Sequence, residues 1–248
     1  MKFLLLAAVD NRDDLLLSCL TTLKKFDDWT LIFVGQEFSK SRQTFVKENV
    51  QIQSHFIWHK NKLGMHNAKL EGLKKIQEIS KKHVVVSIDD DMEFIPSTNF
   101  DALASIALTK NIGLVSGNWV RSKKMLSSKS LKDQIKKQHI VYTAGGLCFS
   151  EKISKLIIEI GEQNFWCDNT EWSLASFLNG YQNVRYLGSI AIHKILSRGG
   201  RKSYVNQKRE MPSNKFIDLK RDKKNGYHIP SQNDLTDFAK FQHKINKK

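Results

Sequence analysis

Val84-Val85-Val86-Ser87-Ile88-Asp89-Asp90-Asp91 is the stretch on which the reading of this chain turns. A run dominated by β-branched residues that stops abruptly at three carboxylates has the composition of a buried strand with a charged C-terminal end. In open α/β sheets ligands bind beyond the carboxyl ends of the strands, so the acids stand where a site belongs. Three adjacent like charges repel and need a cation or strong hydrogen bonds to be held together. Strand alternation points Asp89 and Asp91 one way and Asp90 the other. Carboxylates in this setting suit Mg²⁺ or Mn²⁺, which bridge protein oxygens to phosphate oxygens. The alternative for the triplet taken alone is a solvated acidic turn that caps the next helix.

Working outward, further short apolar runs rich in β-formers occur at Phe3–Val9, Leu31–Val34, Ile52–Trp58 and Ile112–Ser116. Helical periodicity separates most of them. Asp14 to Leu23 reads as a first crossover helix, and Asn67 to Ile79 as a helix with Ala68, Leu70, Leu73, Ile76 and Ile79 toward a core. A later helix is expected from about Thr170 to Leu178, stopped by Asn179-Gly180. Strands alternating with helices predict an α/β fold with a mostly parallel central sheet flanked by helices.

Size and composition bound the rest. A chain of 248 residues suits one sizeable domain. No apolar run approaches the roughly 20 residues needed to span a bilayer. The opening run ends at Asp10, followed by Arg12, Asp13 and Asp14, and so reads as a buried first strand rather than a signal peptide. Cys19, Cys148 and Cys167 have neither zinc nor disulfide spacing, which suggests a reducing, cytoplasmic setting. The formal net charge is +15, and from His193 onward 15 Lys or Arg face 5 Asp or Glu, so about +10 of it lies there. Such an excess attracts a polyanionic acceptor, DNA or an anionic membrane surface, the last implying a peripheral membrane location. A solvated Lys-rich surface is the plain alternative. Composition shifts near Ser197, which divides the expected organisation into a catalytic domain over 1–205 and a basic C-terminal appendage over 206–248, with a short helix near Leu235–Ile245.

Several segments over roughly residues 1 to 200 together resemble the GT-A glycosyltransferases, especially the family-2-like and polypeptide N-acetylgalactosaminyltransferase-like groups. Val9-Asp10-Asn11-Arg12 is similar to the opening strand and loop that contribute to the nucleotide pocket. Asn61-Lys62-Leu63-Gly64-Met65-His66-Asn67-Ala68-Lys69 looks like the family segment whose helix start approaches the diphosphate. Asp89-Asp90-Asp91 resembles the Asp-x-Asp motif. The resemblance implies a metal on Asp91, with Asp89 on the donor ribose or sugar, directly or through the metal. Ala144-Gly145-Gly146-Leu147 is similar to the stretch lining the donor sugar and acceptor edge, although paired glycines equally serve a tight turn. His193, ending Ile190-Ala191-Ile192, looks like a third protein ligand to the metal. Ser197-Arg198-Gly199-Gly200-Arg201-Lys202 resembles a loop that closes over the diphosphate, with Arg198 and Arg201 as phosphate partners; a generic basic loop is the plain alternative.

The acidic helix start of that family is altered here to Asp168-Asn169, followed by Glu171. An inverting enzyme needs a carboxylate base beside the acceptor hydroxyl, and the amide of Asn169 cannot take that proton. Asp168 or Glu171 would substitute, or the enzyme retains configuration. The implied activity is metal-dependent transfer of a sugar from a nucleoside diphosphate sugar to a hydroxyl, on an anionic or membrane-associated glycan or, alternatively, on hydroxymethylated bases of DNA. A non-catalytic nucleic-acid-binding protein is the rival of another class. It leaves the acidic triplet unexplained, and Trp29, Trp58, Trp119, Trp166 and Trp172 are scattered rather than interleaved with basic residues.

Overall fold

The computed structural model describes residues 1–10, 13–123, 133–138, 141, 145–162, 172–173, 175–177, 179–194, 220–221 and 228–229. The first strand, β1 (Lys2–Val9), is the hub. It pairs in parallel with β2 (Thr30–Gln36) on one side and with β4 (Val84–Ile88) on the other, and β3 (Ser54–His59) extends the parallel set beyond β2. Phe3 to Ala8 are all fully buried. A strand covered on both faces has no reason to alternate polar residues, which is why this stretch reads as unbroken apolar sequence.

Alternation nevertheless decides which layer each residue joins. Leu4, Leu6 and Ala8 pack with Leu16, Cys19 and Leu20 of α1 (Asp13–Thr22) and with Phe100 and Leu103 of α4 (Phe100–Ala107). Phe3, Leu5 and Ala7 pack with Ala68, Leu73 and Ile76 of α3 (Met65–Ile79) and with Ile153 and Ile157 of α5 (Glu151–Ile160). Helices therefore cover both faces of the sheet. Another helix, α2 (Lys40–Asn49), starts at Ser39, whose Oγ accepts from Arg42 N at 3.4 Å. The start of α4 is fixed by Asn99, whose Oδ1 accepts from Ala102 N at 2.8 Å, a cap that stabilises by about 1 kcal/mol.

Beyond β4 the sheet continues through β8 (Leu147–Ser150), β6 (Ile112–Val120), β9 (Gln182–His193) and β5 (Met92–Phe94), while β7 (Ile135–Gln138) pairs with β9. Strands β1, β2, β3, β4, β6 and β9 run one way, and β5, β7 and β8 the other. The expected mostly parallel sheet flanked by helices is what forms. Strand β6 outruns its sequence-based end at Ser116, because Asn118, Trp119 and Val120 keep pairing with β9 after a register shift. Helical residues at 172–173 and 175–177 fall within the helix expected there, and the chain turns at Gly180 with φ 81°. In the basic C-terminal region, β10 (Lys220–Arg221) pairs antiparallel with β11 (His228–Ile229); the expected helix near Leu235–Ile245 lies outside the described residues.

The chain order makes β1 a switch point: β2 and β3 build outward on one side, and β4 returns to the other. The crevice that such a reversal opens lies beyond the C-terminal ends of β1 and β4, where Asp10 and Asp89 follow their strands.

Candidate donor and metal site

Strand β4 runs straight into the acidic triplet, which forms the turn to β5, with Met92 N donating to Asp89 O at 3.4 Å. The alternation expected from sequence holds through this turn. Asp90 is 3% exposed, whereas Asp89 and Asp91 are only half-buried. The short β5 pairs antiparallel with the end of β9, which sets His193 opposite Met92, and Lys194 N donates to Asp91 O at 2.8 Å. These backbone pairings carry the imidazole to the carboxylate: His193 Nε2 stands 3.1 Å from Asp91 Oδ1. The Trp119 ring, from β6, meets His193 edge-on with centroids 5.7 Å apart.

Asp89 is held differently. Its Oδ1 takes Nζ of Lys69 from α3 at 3.1 Å, and the lysine side chain is 1% exposed. The expected set of Asp89, Asp91 and His193 thus divides into an Asp91–His193 pair and an Asp89–Lys69 pair. Among the described residues no three His, Cys, Asp or Glu side chains gather at metal-binding spacing. Below the turn, Cys19 Sγ donates to Asp89 O at 3.6 Å; burial, and then the charges of Asp90, Asp91 and Asp89, push its thiol pKa well up, so it stays a neutral packing group.

Across the crevice, Asp10 Oδ1 accepts from Arg42 Nε at 3.0 Å, and Asp10 N donates to Gln36 O at 3.2 Å. Gln36 is fully buried, and its Oε1 accepts from Leu63 N at 2.7 Å and Gly64 N at 3.1 Å. That double contact positions the start of α3. Gly64 there has φ 83°, a conformation that disfavours any residue with a Cβ. The N-terminus of α3 is thereby aimed with its positive dipole end at the crevice side of the sheet. Asn61 is exposed.

The glycine pair has an internal reason. A Cβ on Gly145 would run into the Gly117 backbone and stand 2.7 Å from the Asn118 carbonyl oxygen, and Gly117 N donates to Gly146 O at 3.0 Å. Close approach of β6 to the segment before β8 therefore requires glycine whether or not a ligand is near. Beside the site, Glu93 gives one oxygen to Lys123 and the other to Lys194, each at 2.8 Å. Burial raises its pKa, but the hydrogen bonds and charges of the two lysines together lower it by more, leaving a carboxylate held below its usual range. Lys194 also donates to Ser18 Oγ at 2.7 Å, so the segment leaving His193 is tied to both α1 and β5.

Among the expected site residues, Asn11, Arg12, Asp168, Asn169, Glu171, Arg198 and Arg201 lie outside the described residues. Sequence reasoning reached Lys69 only as the end of the segment that starts at Asn61, with no role given to it, and missed Gln36, Arg42 and Trp119. For Lys69 a signal existed: it precedes Leu73 by four and Ile76 by seven residues, an apolar position in the period of α3. Gln36 likewise ends an apolar run, as Asp89 does.

No protein-family model matches the sequence, and no curated protein matches it. The structure, in contrast, superposes on solved glycosyltransferases. GalNAc-T7 with UDP, GalNAc and Mn²⁺ matches with a TM-score of 0.60 over 80% of this chain and 44% of that chain, at 9% identity. The mannosyltransferase PcManGT from Pyrobaculum calidifontis, with GDP-Man and Mn²⁺, matches at 0.63 over 83% of this chain and 60% of that one, at 12% identity. TarS residues 1–349 from S. aureus match at 0.58 over 78% and 60%, again at 12% identity. The fold is GT-A. This chain spans 44% to 60% of the length of those GT-A structures, and identities of 9% to 12% speak for the shared fold alone. Among the described residues no helix is long and apolar enough to cross a membrane.

Proposed function

We infer that this GT-A chain is a metal-dependent glycosyltransferase moving a sugar from a nucleoside diphosphate sugar to an acceptor hydroxyl. The observation that carries the reading is the Asp91–His193 contact at 3.1 Å, built at the carboxyl end of β4 beside the β1 switch point. The carboxylate suits Mn²⁺ or Mg²⁺, and the imidazole nitrogen beside it makes the softer Mn²⁺ the better fit of the two. Two protein ligands are sufficient, because such ions keep several waters and fill further positions with substrate phosphate oxygens. Bound there, the cation would supply neutralisation of the charge that develops on the diphosphate as the anomeric bond breaks.

The chain's own residues then take the following parts. Asp91 and His193 hold the cation, and Asp89 accepts from a donor ribose or sugar hydroxyl with its carboxylate turned by Lys69. Asp90, buried behind the turn, supports its geometry. Gly64 and Asn61 flank the diphosphate at the start of α3, and Asp10, Asn11 and Arg12 border the nucleotide. Arg198 and Arg201 serve as phosphate partners, Gly145 and Gly146 line the sugar, and Asp168, Asn169 and Glu171 face the acceptor hydroxyl.

The acceptor we favour is an anionic or membrane-associated glycan, a reading supported by the net charge of +15. Hydroxymethylated DNA is the alternative, since a duplex presents dense phosphate to the same surface. The test is a hydrolysis and transfer screen of UDP- and GDP-sugars with Mn²⁺, run with and without chelator, anionic vesicles carrying glycan acceptors, and hydroxymethylated DNA. Donor cleavage that persists in excess chelator, or no cleavage and no transfer under any condition, removes the reading.

A further inference from the structure

A fully buried lysine lies directly beneath the acidic triplet, and it demands a physical account. Lysine is almost never fully buried unless paired, because its ammonium loses its hydration. Lys69 is 0% exposed, its Nζ is 3.1 Å from Asp89 Oδ1, and the same Nζ lies 5.9 Å from the centroid of the Trp172 ring. The ring adds a weaker attraction for the cation to that of the carboxylate's full charge. Trp172 is itself fully buried and fixed, since its Nε1 donates to His66 Nδ1 at 3.2 Å. Accepting at Nδ1 leaves His66 its other nitrogen as a donor, and Nε2 meets Gly161 O at 3.0 Å. His66 and Lys69 are one turn apart on α3, so one helix face carries both ends of the arrangement.

A buried ion pair is a poor source of stability, because desolvation consumes most of the Coulomb gain. An apolar residue at 69 would pack the same helix face without that cost. What the lysine adds is direction: its bond to Oδ1 sets how the half-buried carboxylate of Asp89 faces the crevice. We propose that Lys69 is a positioning residue of the donor site, orienting Asp89 for the nucleoside diphosphate sugar and tying that orientation to the helical segment that carries Trp172. The inference rests on the glycosyltransferase reading and adds a residue that acts without touching the donor.

The test compares two binding measurements on Lys69→Met. Affinity for UDP- or GDP-sugar in the presence of Mn²⁺ is read by calorimetry, using whichever donor the wild type binds, and affinity for Mn²⁺ alone is read from free-ion paramagnetic resonance. Loss of a charge-assisted contact predicts donor affinity lower by about tenfold or more, with Mn²⁺ affinity changed by less than about threefold. Unchanged donor affinity overturns the inference, and so does parallel loss of donor and Mn²⁺ binding, which would mark a purely structural lysine. Should Lys69→Met not fold, Trp172→Phe takes its place: it keeps a ring but drops the bond to His66, and donor affinity should fall about threefold with Mn²⁺ binding retained. Donor affinity equal to wild type in that variant overturns the inference as well. A wild-type protein that binds no nucleoside diphosphate sugar at all overturns the functional reading and this one together, whereas wild-type binding with an indifferent Lys69 overturns this one only.

Discussion

His193 reaches Asp91 because two short strands, β5 and the end of β9, run antiparallel with Met92 opposite His193, which leaves Nε2 and Oδ1 3.1 Å apart. Neither residue is long enough to find the other by side-chain flexibility alone. The contact is set by backbone register.

That register predicts a site that fails by loss of charge rather than loss of fold. Asp91→Asn and His193→Ala should each lower metal-dependent donor turnover by about 10²-fold or more, on the scale seen when a preorganised charge-stabilising group is removed. Both side chains are partly exposed, so the unfolding midpoint should move little. Turnover near wild type in either variant, with the thermal transition intact, sinks the metal assignment.

Stereochemistry should follow from Asn169. With an amide in place of a carboxylate base, the expected product retains the anomeric configuration of the donor, and Asp168→Asn should slow transfer less than about tenfold, below the usual contribution of a general base. Proton NMR of the first-formed product decides between retention and inversion. Inversion, together with a collapse of rate in Asp168→Asn or Glu171→Gln, would identify the substituting base and refute retention.

Gly145→Ala should destabilise the fold before it affects any chemistry. The added methyl meets the Gly117 backbone and the Asn118 carbonyl, neither of which is the yielding end of a side chain. Overpacking against backbone costs about 2 to 3 kcal/mol. Urea unfolding would report it. A variant of wild-type stability with impaired donor binding would instead assign the glycine to the ligand.

Stability should fall in mild acid through His83. This residue is 4% exposed, with Nδ1 at 2.8 Å from Ser80 O and Nε2 at 3.0 Å from Ser154 Oγ, and burial lowers its pKa from the ordinary 6.5. The unfolded chain therefore takes up the proton first as pH drops. The contribution of the neutral ring is complete above about 6.5 and is lost as pH falls toward the lowered folded value. Denaturant midpoints measured from pH 8 to pH 5 should decline, and His83→Gln should flatten the decline below 6.5. An identical pH dependence in that variant would exclude His83 as the cause.

The amino-acid sequence by itself determined the layers. Phe3 to Val9 and Val84 to Ile88 read as buried strands because they are short apolar runs rich in β-formers that stop at charged residues, and the leucines after Asp14 read as a covering helix, all of it local information. It also marked where the acids go, since Asp89 and Asp91 end an apolar run and alternation separates them from Asp90. Helices α2, α4 and α5 escaped that reading. Polar and charged residues fill α2 apart from Phe45 and Val46, and Val46 is its one buried residue, so little periodic apolar signal betrays it. Only the tertiary structure decided who partners whom. Asp91 with His193, Asp89 with Lys69 and Gln36 with Leu63 and Gly64 are each brought together by sheet order and register, which depend on pairings between distant segments. A lysine inside an apolar helix face is visible as an anomaly in one dimension. Its answering carboxylate, twenty residues along just past the end of β4, becomes identifiable only when α3 packs on β1 and β2 and brings the Lys69 ammonium to Asp89.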